Sequence, residues 1–172
     1  MIVVIAILAG LSFPAYTGIT QRADNTARIA AAEQWVQLIK MYVAATGNVP
    51  PSIGALFVGS QKLCLGTGFP VGGGGVPRCQ NVKGTDANSL AESDNAQLMA
   101  ELKTIGELPS SKPSPTSPGL TGPWLSKPVS GNMANVTVAL DGVFASGEEC
   151  GGGFKGGWAD SRVSTCTKTI VF

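Results

Sequence analysis

Apolar side chains are concentrated at the start of the chain. Residues 1–21 contain no charged side chain, and Arg22 is the first. Twenty-one helical residues would extend about 31 Å, which matches the hydrocarbon core of a bilayer. The segment therefore predicts a helix that lies in a membrane or in an equally apolar protein interior. Its candidate core positions are Met1, Ile2, Val3, Val4, Ile5, Ile7, Leu8, Leu11, Phe13 and Pro14.

Pro14 interrupts this apolar segment. A proline has no N–H and its ring crowds the carbonyl four residues back, so we expect the helix to kink or unwind between Gly10 and Gly18. Two interpretations fit: an ordinary kink, or an extensible stretch in a helix that moves from lipid into protein. No basic residue precedes the apolar run, which disfavours a removed secretory signal. We expect the segment to be retained.

Beyond Arg22 the apolar positions recur at helical spacing. A first stripe comprises Ile29, Ala32, Val36, Ile39 and Val43. A second stripe, about 100° round the helix, comprises Ala31, Trp35, Leu38 and Tyr42. The polar residues lie mainly on the remaining face: Arg28, Glu33, Gln37 and Lys40. The pattern fits a helix with two partners, its own head and another surface, or one wide stripe buried wholly in the head.

Gly47, with two prolines shortly after it, ends the predicted helix sharply. A helix over residues 1–46 would be roughly 65–70 Å long, which exceeds the diameter of a head built from the remaining residues. A bare apolar projection is insoluble unless it lies in a membrane or is covered by copies of itself. We therefore predict a helix over residues 1–47, with a membrane or filament-core half (1–21) and an amphipathic half (22–47), and a head over residues 48–172.

Four cysteines fall in two separated pairs, Cys64 with Cys79 and Cys150 with Cys166. The chain has no Cys-x-x-Cys and no histidine, so a zinc site would need thiolates from two distant loops. An even count beside an apolar leader favours disulfides and an oxidising compartment. Three connectivities are open, and free thiols are the other outcome. We expect the local pairing, which closes the shortest loops, at residues 64–79 and 150–166.

The first part of the head is rich in turn-forming residues. Residues 50–83 predict a glycine- and proline-rich surface connection, with a flexible turn at residues 72–75. Residues 96–105 predict a short helix, with Asp94 as its N-cap and Gly106 as its stop.

The second part of the head predicts β-structure. Residues 135–140 and 143–146, joined by an Asp-Gly pair, predict a β-hairpin, and residues 167–172 predict a third strand. Antiparallel strands with the long helix laid over one face would give an α+β fold. Trp124 is a candidate member of that core.

Three loops carry residue types that occur in binding or modification sites. Oxygen-bearing side chains suggest a cation site but lack the glycine and terminal glutamate of an EF-hand loop, so solvated acids at a helix start are the preferred interpretation. They are Asp86, Asn88, Glu92 and Asp94. A Ser/Thr/Pro-rich linker holds three candidate O-glycosylation sites: Ser114, Thr116 and Ser117. Phe154 and Trp158, in the glycine-rich loop 150–166, fit either an exposed binding patch or a plug folded back into the loop.

Composition argues against several classes of function. The net charge is +1, so no electrostatic footprint marks a nucleic-acid site. The chain has no histidine, no GxSxG and no HExxH, and its adjacent Glu148 and Glu149 would face opposite sides of a strand. We therefore expect no catalytic residues, no metal site and no cofactor.

The sequence MIVVIAILAGLSFPAY, residues 1–16, resembles the N-terminal segment of type IV pilins and their relatives. The resemblance extends to about Tyr42 and fades in the head. It implies a precursor in the cytoplasmic membrane that is trimmed by prepilin peptidase and extracted into an extracellular helical homopolymer. A platform protein, an assembly ATPase and minor pilins are the other partners that it implies.

Two features depart from the pilin pattern. The cleavage glycine, the phenylalanine and the glutamate that precede the methionine in the family are not in this sequence, so we expect the natural chain to extend upstream by a handful of residues. Pro14 also lies closer to the methionine than in the commonest pilins. This leaves open which stretch is non-helical in the fibre.

Within this interpretation the expected function is that of a pilus subunit that supports adhesion, twitching motility or DNA uptake. The disulfides and the Ser/Thr/Pro segment favour a long surface pilus over its alternative, a pseudopilin of a secretion or competence system. A second alternative is a membrane-tethered adhesin or binding module. A tethered module would not need the second apolar stripe, and it would stay monomeric in mild detergent.

Overall fold

A long helix lies across one face of an antiparallel β-sheet. The computed structural model describes residues 2–56, 62–72, 75, 77–80, 95–111, 120–127, 132–159 and 162–172, with the side chains of the first helix described from residue 18 onward. Two disulfides brace the head. The predicted α+β fold is confirmed.

The first helix, α1, spans Ile2–Thr46. It ends where the sequence predicts, because Gly47 adopts a left-handed φ of 68° and its N–H donates to the Val43 carbonyl at 2.9 Å. The helical backbone continues through Pro14, so local unwinding there is not present in this conformation. A proline removes one intrahelical hydrogen bond, and the turns on either side continue. A bend without loss of helix stays a prediction.

Both apolar stripes of α1 pack into the head. The residues at most 2% exposed are Ala32, Trp35, Val36, Leu38 and Ile39. Ile29 and Tyr42 are half-buried against the same core, and Val43, near the end of the helix, is half-buried. The head therefore occupies the second stripe itself, as the wide-stripe alternative requires. The pattern predicts that Arg28 lies on the polar face of the helix. This prediction is wrong, since Arg28 is only 9% exposed.

The sheet has six strands in the order β1-β2-β3-β6-β5-β4, all paired antiparallel. They are β1 (Lys62–Cys64), β2 (Trp124–Ser126), β3 (Met133–Asp141), β4 (Glu149–Gly151), β5 (Phe154–Ala159) and β6 (Val163–Val171). The disulfide-bounded loop 150–166 thus contains β5, which the sequence does not predict because the segment is rich in glycine.

The central pairing of the sheet corrects the predicted hairpin. β3 pairs with β6 along nine residues, and residues 143–145 lie outside the strands. Gly142 donates its N–H to the Arg162 carbonyl at 2.7 Å, toward β6 rather than across a hairpin. The Asp-Gly turn signal fails here because β6 offers nine pairing positions, far more than the short segment that follows the turn. The third predicted strand is the C-terminal part of β6.

Two short helices complete the architecture. α2 (Pro51–Leu56) begins at a proline, a residue suited to the first helical turn, and with β1 it replaces part of the predicted irregular connection. α3 is Ala96–Lys103. Its N-cap is Asn95 and not Asp94, because the Leu98 N–H donates to Asn95 Oδ1 at 2.8 Å.

The disulfides are the predicted local pairs, Cys64–Cys79 and Cys150–Cys166, with Cα–Cα distances of 5.6 and 6.3 Å. The main core lies between α1 and the sheet. A second, smaller cluster forms around the first disulfide on the opposite face: Cys64, Phe69, Cys79, Leu120, Trp124, Ala139 and Val163. Trp124 therefore joins this outer cluster and not the core beneath α1.

Some sequence expectations concern residues that lie outside the described part of the chain. They are the cation candidates Asp86, Asn88, Glu92 and Asp94 and the glycosylation candidates Ser114, Thr116 and Ser117. The predicted turn at residues 72–75 is described at its ends, where the Gly75 N–H donates to the Gly72 carbonyl at 3.2 Å.

Candidate functional site

The candidate site is the N-terminal part of α1, from the point where the helix leaves the head. Side chains of residues 18–24 are exposed, and Ile19 is 66% exposed. Thr20, Gln21 and Asp24 of α1 line a shallow groove together with Gly142 and Arg162 of the head, so the helix passes the edge of the head at residues 20–24. Residues 2–20 therefore extend the helix from this edge over about 28 Å, at 1.5 Å per residue.

Asn25 and Arg28 fix α1 to the end of β3. The Asn25 side-chain nitrogen donates to the Asp141 carbonyl at 2.7 Å, and the Asp141 N–H donates to Asn25 Oδ1 at 2.9 Å. The amide thus satisfies both backbone groups of Asp141, as a paired strand residue would. Arg28 Nη1 then donates to Asp141 Oδ2 at 2.8 Å, in an ion pair whose side chains are 9% and 32% exposed. These contacts set the angle at which the helix leaves the head.

Glu33 and Lys168 form a second connection between α1 and the sheet, more than one helical turn beyond Arg28. Lys168 Nζ donates to Glu33 Oε2 at 2.6 Å and to the Gly152 carbonyl at 2.7 Å. Burial alone would raise the pKa of Glu33. Hydrogen bonds from Lys168 and Gln37, with the charges of Lys168 and Lys40, outweigh it and hold that pKa below its ordinary value. The carboxylate is therefore ionised in the folded protein at neutral pH.

These connections divide α1 into two parts. The seated part contains Asn25, Arg28 and Glu33 and lies against the head, and the extended part is residues 2–20. Residues from Asn25 onward contribute side-chain contacts to the head, whereas the ten predicted core positions between Met1 and Pro14 precede the first described side chain. Among the residues that the structure describes, no helical stretch combines the length and apolarity needed to cross a bilayer.

Comparison with protein-family models, with curated proteins and with solved structures finds no match for this chain. The function of α1 must therefore be argued from its own length, exposure and sequence. The relevant features are a helix of 45 residues, described side-chain contacts with the head in its C-terminal part, and an uncharged N-terminal sequence.

A second feature, which the sequence analysis does not predict, lies on the sheet face opposite α1. Ten of the described residues line a groove of about 580 Å³, here called the outer groove: Lys62, Gln80, Leu120, Trp124, Ser126, Asn135, Thr137, Trp158, Thr165 and Thr167. The two aromatics of the 150–166 loop differ in burial. Phe154 is 0% exposed, as in the folded-back alternative, and Trp158 is 54% exposed, as in the exposed-patch alternative. The alternation of polar residues in β3 and β6 is the signal that could have revealed the groove.

Proposed function

We propose that this chain is a type IV pilin, a structural subunit that polymerises into an extracellular filament through the extended part of α1. The observation that carries the proposal is the extent of that helix. It passes the edge of the head at Thr20 and Gln21, and residues 2–20 extend it away from that edge with a sequence that has no charge. Its length and apolarity are the two properties that subunit packing in a filament core requires.

Simple geometry supports polymerisation over folding back. A continuous helix that has left the head cannot return to it, so residues 2–20 need another apolar environment. Before assembly the cytoplasmic membrane supplies it, and in the filament the same segments of neighbouring subunits supply it. The hydrophobic effect drives this burial because it removes apolar side chains from water.

The burial of the seated part supports different functions for the two parts of α1: the seated part packs in the head, and the extended part contacts other subunits. Since Trp35 and Leu38 are buried in the head, the second stripe is not left open to another subunit. Contacts between copies therefore belong to the segment before Gln21. The ion pairs of Arg28 and Glu33 hold that segment at a defined angle to the head, which a regular helical polymer requires.

The rival candidate is a membrane-tethered adhesin or binding module. The burial of the second stripe removes one sequence argument against it, and the outer groove gives it a place to bind a ligand. The two functions differ in one property, because a tethered module stays monomeric when its anchor is held in detergent. Within the filament class, a surface pilus for adhesion, motility or DNA uptake is our proposal, and a pseudopilin is its alternative.

The test is electron microscopy of sheared cell-surface material from cells that express Ile5→Asp. A carboxylate at the centre of the apolar segment should abolish filaments, because it cannot be buried unpaired between apolar helices. The matched control is Val143→Asp, which places the same charge on a head residue that is 61% exposed and should leave filaments intact. Filaments from Ile5→Asp, confirmed as this subunit by mass spectrometry, would contradict the proposal.

A further inference from the structure

The two faces of the sheet have different chemistry. On β3, alternate residues Ala134, Val136, Val138 and Leu140 belong to the core beneath α1. The intervening residues point to the opposite face and include Asn135 and Thr137. Their cross-strand partners on β6 are Thr169 and Thr167. The outer face is therefore lined with hydroxyl and amide groups.

The small outer cluster covers only one end of this face. Ala139 of β3 and Val163 of β6 pack there with Trp124 and the Cys64–Cys79 disulfide. Beyond Trp124 the outer groove of about 580 Å³ begins, and among the described residues none fills it. This volume is within the range of about 300–1,000 Å³ that is typical of small-molecule sites.

The polar groups of the outer groove are ordered and retain hydrogen-bonding capacity. Thr137 and Thr167 share a hydrogen bond at 3.0 Å between their hydroxyls, and Thr165 donates to the Trp158 carbonyl at 3.1 Å. Each hydroxyl has one donor and two acceptor sites, so such contacts leave sites open. Thr169 donates to Asn135 Oδ1 at 2.8 Å, which directs the rest of that amide toward the groove.

Gln80 adds an acceptor that lacks a partner. Its side-chain oxygen is buried and makes no hydrogen bond with the described residues, although the residue lines the groove. A buried polar atom without a partner is unfavourable, and a donor on a bound ligand would offset that cost. Gln80 therefore favours a ligand that carries hydroxyl or amide hydrogens.

The outer groove also has aromatic side chains and little charge. Trp158 is 54% exposed beside it and Trp124 forms its floor. The electron-rich face of an indole attracts weakly positive C–H groups. Of the described residues that line the groove, only Lys62 is charged. An indole beside a row of neutral hydroxyl and amide groups matches a ligand with C–H faces and many hydroxyls.

We propose that the outer groove is a carbohydrate-binding site that takes a neutral oligosaccharide, with Trp158 stacked on one sugar ring. Thr137, Thr167 and Asn135 hydrogen-bond the sugar hydroxyls, and Gln80 accepts one hydroxyl hydrogen. The site lies on the face of the sheet opposite α1, so it is independent of the contacts that would form a filament.

The test is a glycan array probed with the full-length protein in mild detergent. The array carries neutral oligosaccharides, acidic oligosaccharides and single-stranded oligonucleotides. Neutral oligosaccharides should bind best, and Trp158→Ala should weaken that binding about tenfold or more. Trp158→Phe keeps a ring and should retain most of the affinity, whereas Thr167→Val loses a hydroxyl and should weaken binding without loss of fold.

Two controls separate this proposal from the proposed filament. Val143→Ala removes apolar surface at a residue that does not line the groove, and it should bind as the parent protein does. Ile5→Asp should also bind normally even though it forms no filaments. The proposal is overturned if no neutral oligosaccharide binds, if oligonucleotides bind better, or if Trp158→Ala binds undiminished. Loss of filaments in Trp158→Ala would also overturn it, by assigning the groove to contacts between copies.

Discussion

Arg28 illustrates how a single buried charge can orient a long helix. Its side chain is 9% exposed, and its guanidinium reaches Asp141 at the end of β3. A charge removed from water needs a partner with good geometry. Because Asn25 already holds the backbone of Asp141, the carboxylate is presented to Arg28 without further ordering. The pair therefore works as a joint between α1 and the sheet.

The joint predicts a stability change for Asp141→Ala. Removal of the carboxylate leaves the Arg28 charge largely buried without its ion-pair partner, so the free energy of unfolding should fall by about 1–3 kcal/mol. Urea unfolding at neutral pH measures it. Asp24→Ala is the control, since this neighbouring acid is exposed and should change stability by less than about 0.5 kcal/mol. Equal effects of the two substitutions would contradict the assigned role.

Glu33 predicts a pH dependence. Its pKa in the folded protein lies below the ordinary value of 4.5, so its ionised form stabilises the fold above that value and this contribution is lost as pH falls through the folded pKa. The stability difference between the parent protein and Glu33→Gln should therefore be largest at neutral pH and shrink as the pH falls below 4.5 and through the folded-state pKa. Urea unfolding of both proteins across this range measures it. A difference that stays constant down to pH 3 would rule out this contribution.

At the scale of elements, the sequence predicts what is encoded locally and misses what depends on distant pairing. α1 is predicted because its apolar period and its glycine stop lie within the helix itself. The hairpin after β3 is wrongly predicted because Asp-Gly is a local turn signal. The strand that pairs with β3 is β6, which begins more than 20 residues after the end of β3. α2 is missed because its proline and glycine suggest an irregular connection.

The candidate sites divide in the same way. The extended part of α1 can be predicted because it needs only a continuous apolar sequence. The outer groove can be predicted only in part: polar residues alternate along β3 and β6, but Thr137 and Thr167 become neighbours only through the pairing of these two strands. Trp158 carries a partial signal, as an aromatic in a glycine-rich loop, but its exposure depends on which face β5 turns outward.

The disulfide between Cys64 and Cys79 gives an element-scale prediction. Its half-cystines are 0% exposed and belong to the outer cluster that supports Trp124. The double substitution of both cysteines by alanine should lower the free energy of unfolding by about 3 kcal/mol, because the open loop gains freedom in the unfolded chain. Thermal unfolding measures it, with the parent protein under reducing conditions as comparison. No loss of stability would show that the bridge is not a structural brace.

At the scale of the whole molecule, the head and the extended helix have separate tasks. The head buries both stripes of α1 in its own core, so we expect it to fold without neighbouring subunits. The extended part contributes nothing to that core among the described side chains. This division is what the proposed filament function requires of a subunit that is held in a membrane before assembly.

The state of the purified full-length protein after detergent removal tests this account most directly. Analytical ultracentrifugation should show large assemblies, or transfer of the protein into added lipid vesicles, because residues 2–20 need apolar surroundings. In mild detergent the same preparation should disperse into small particles with the head still folded by circular dichroism. A lone, freely soluble species of 17.5 kDa in plain buffer would contradict both polymerisation through α1 and the pilin assignment.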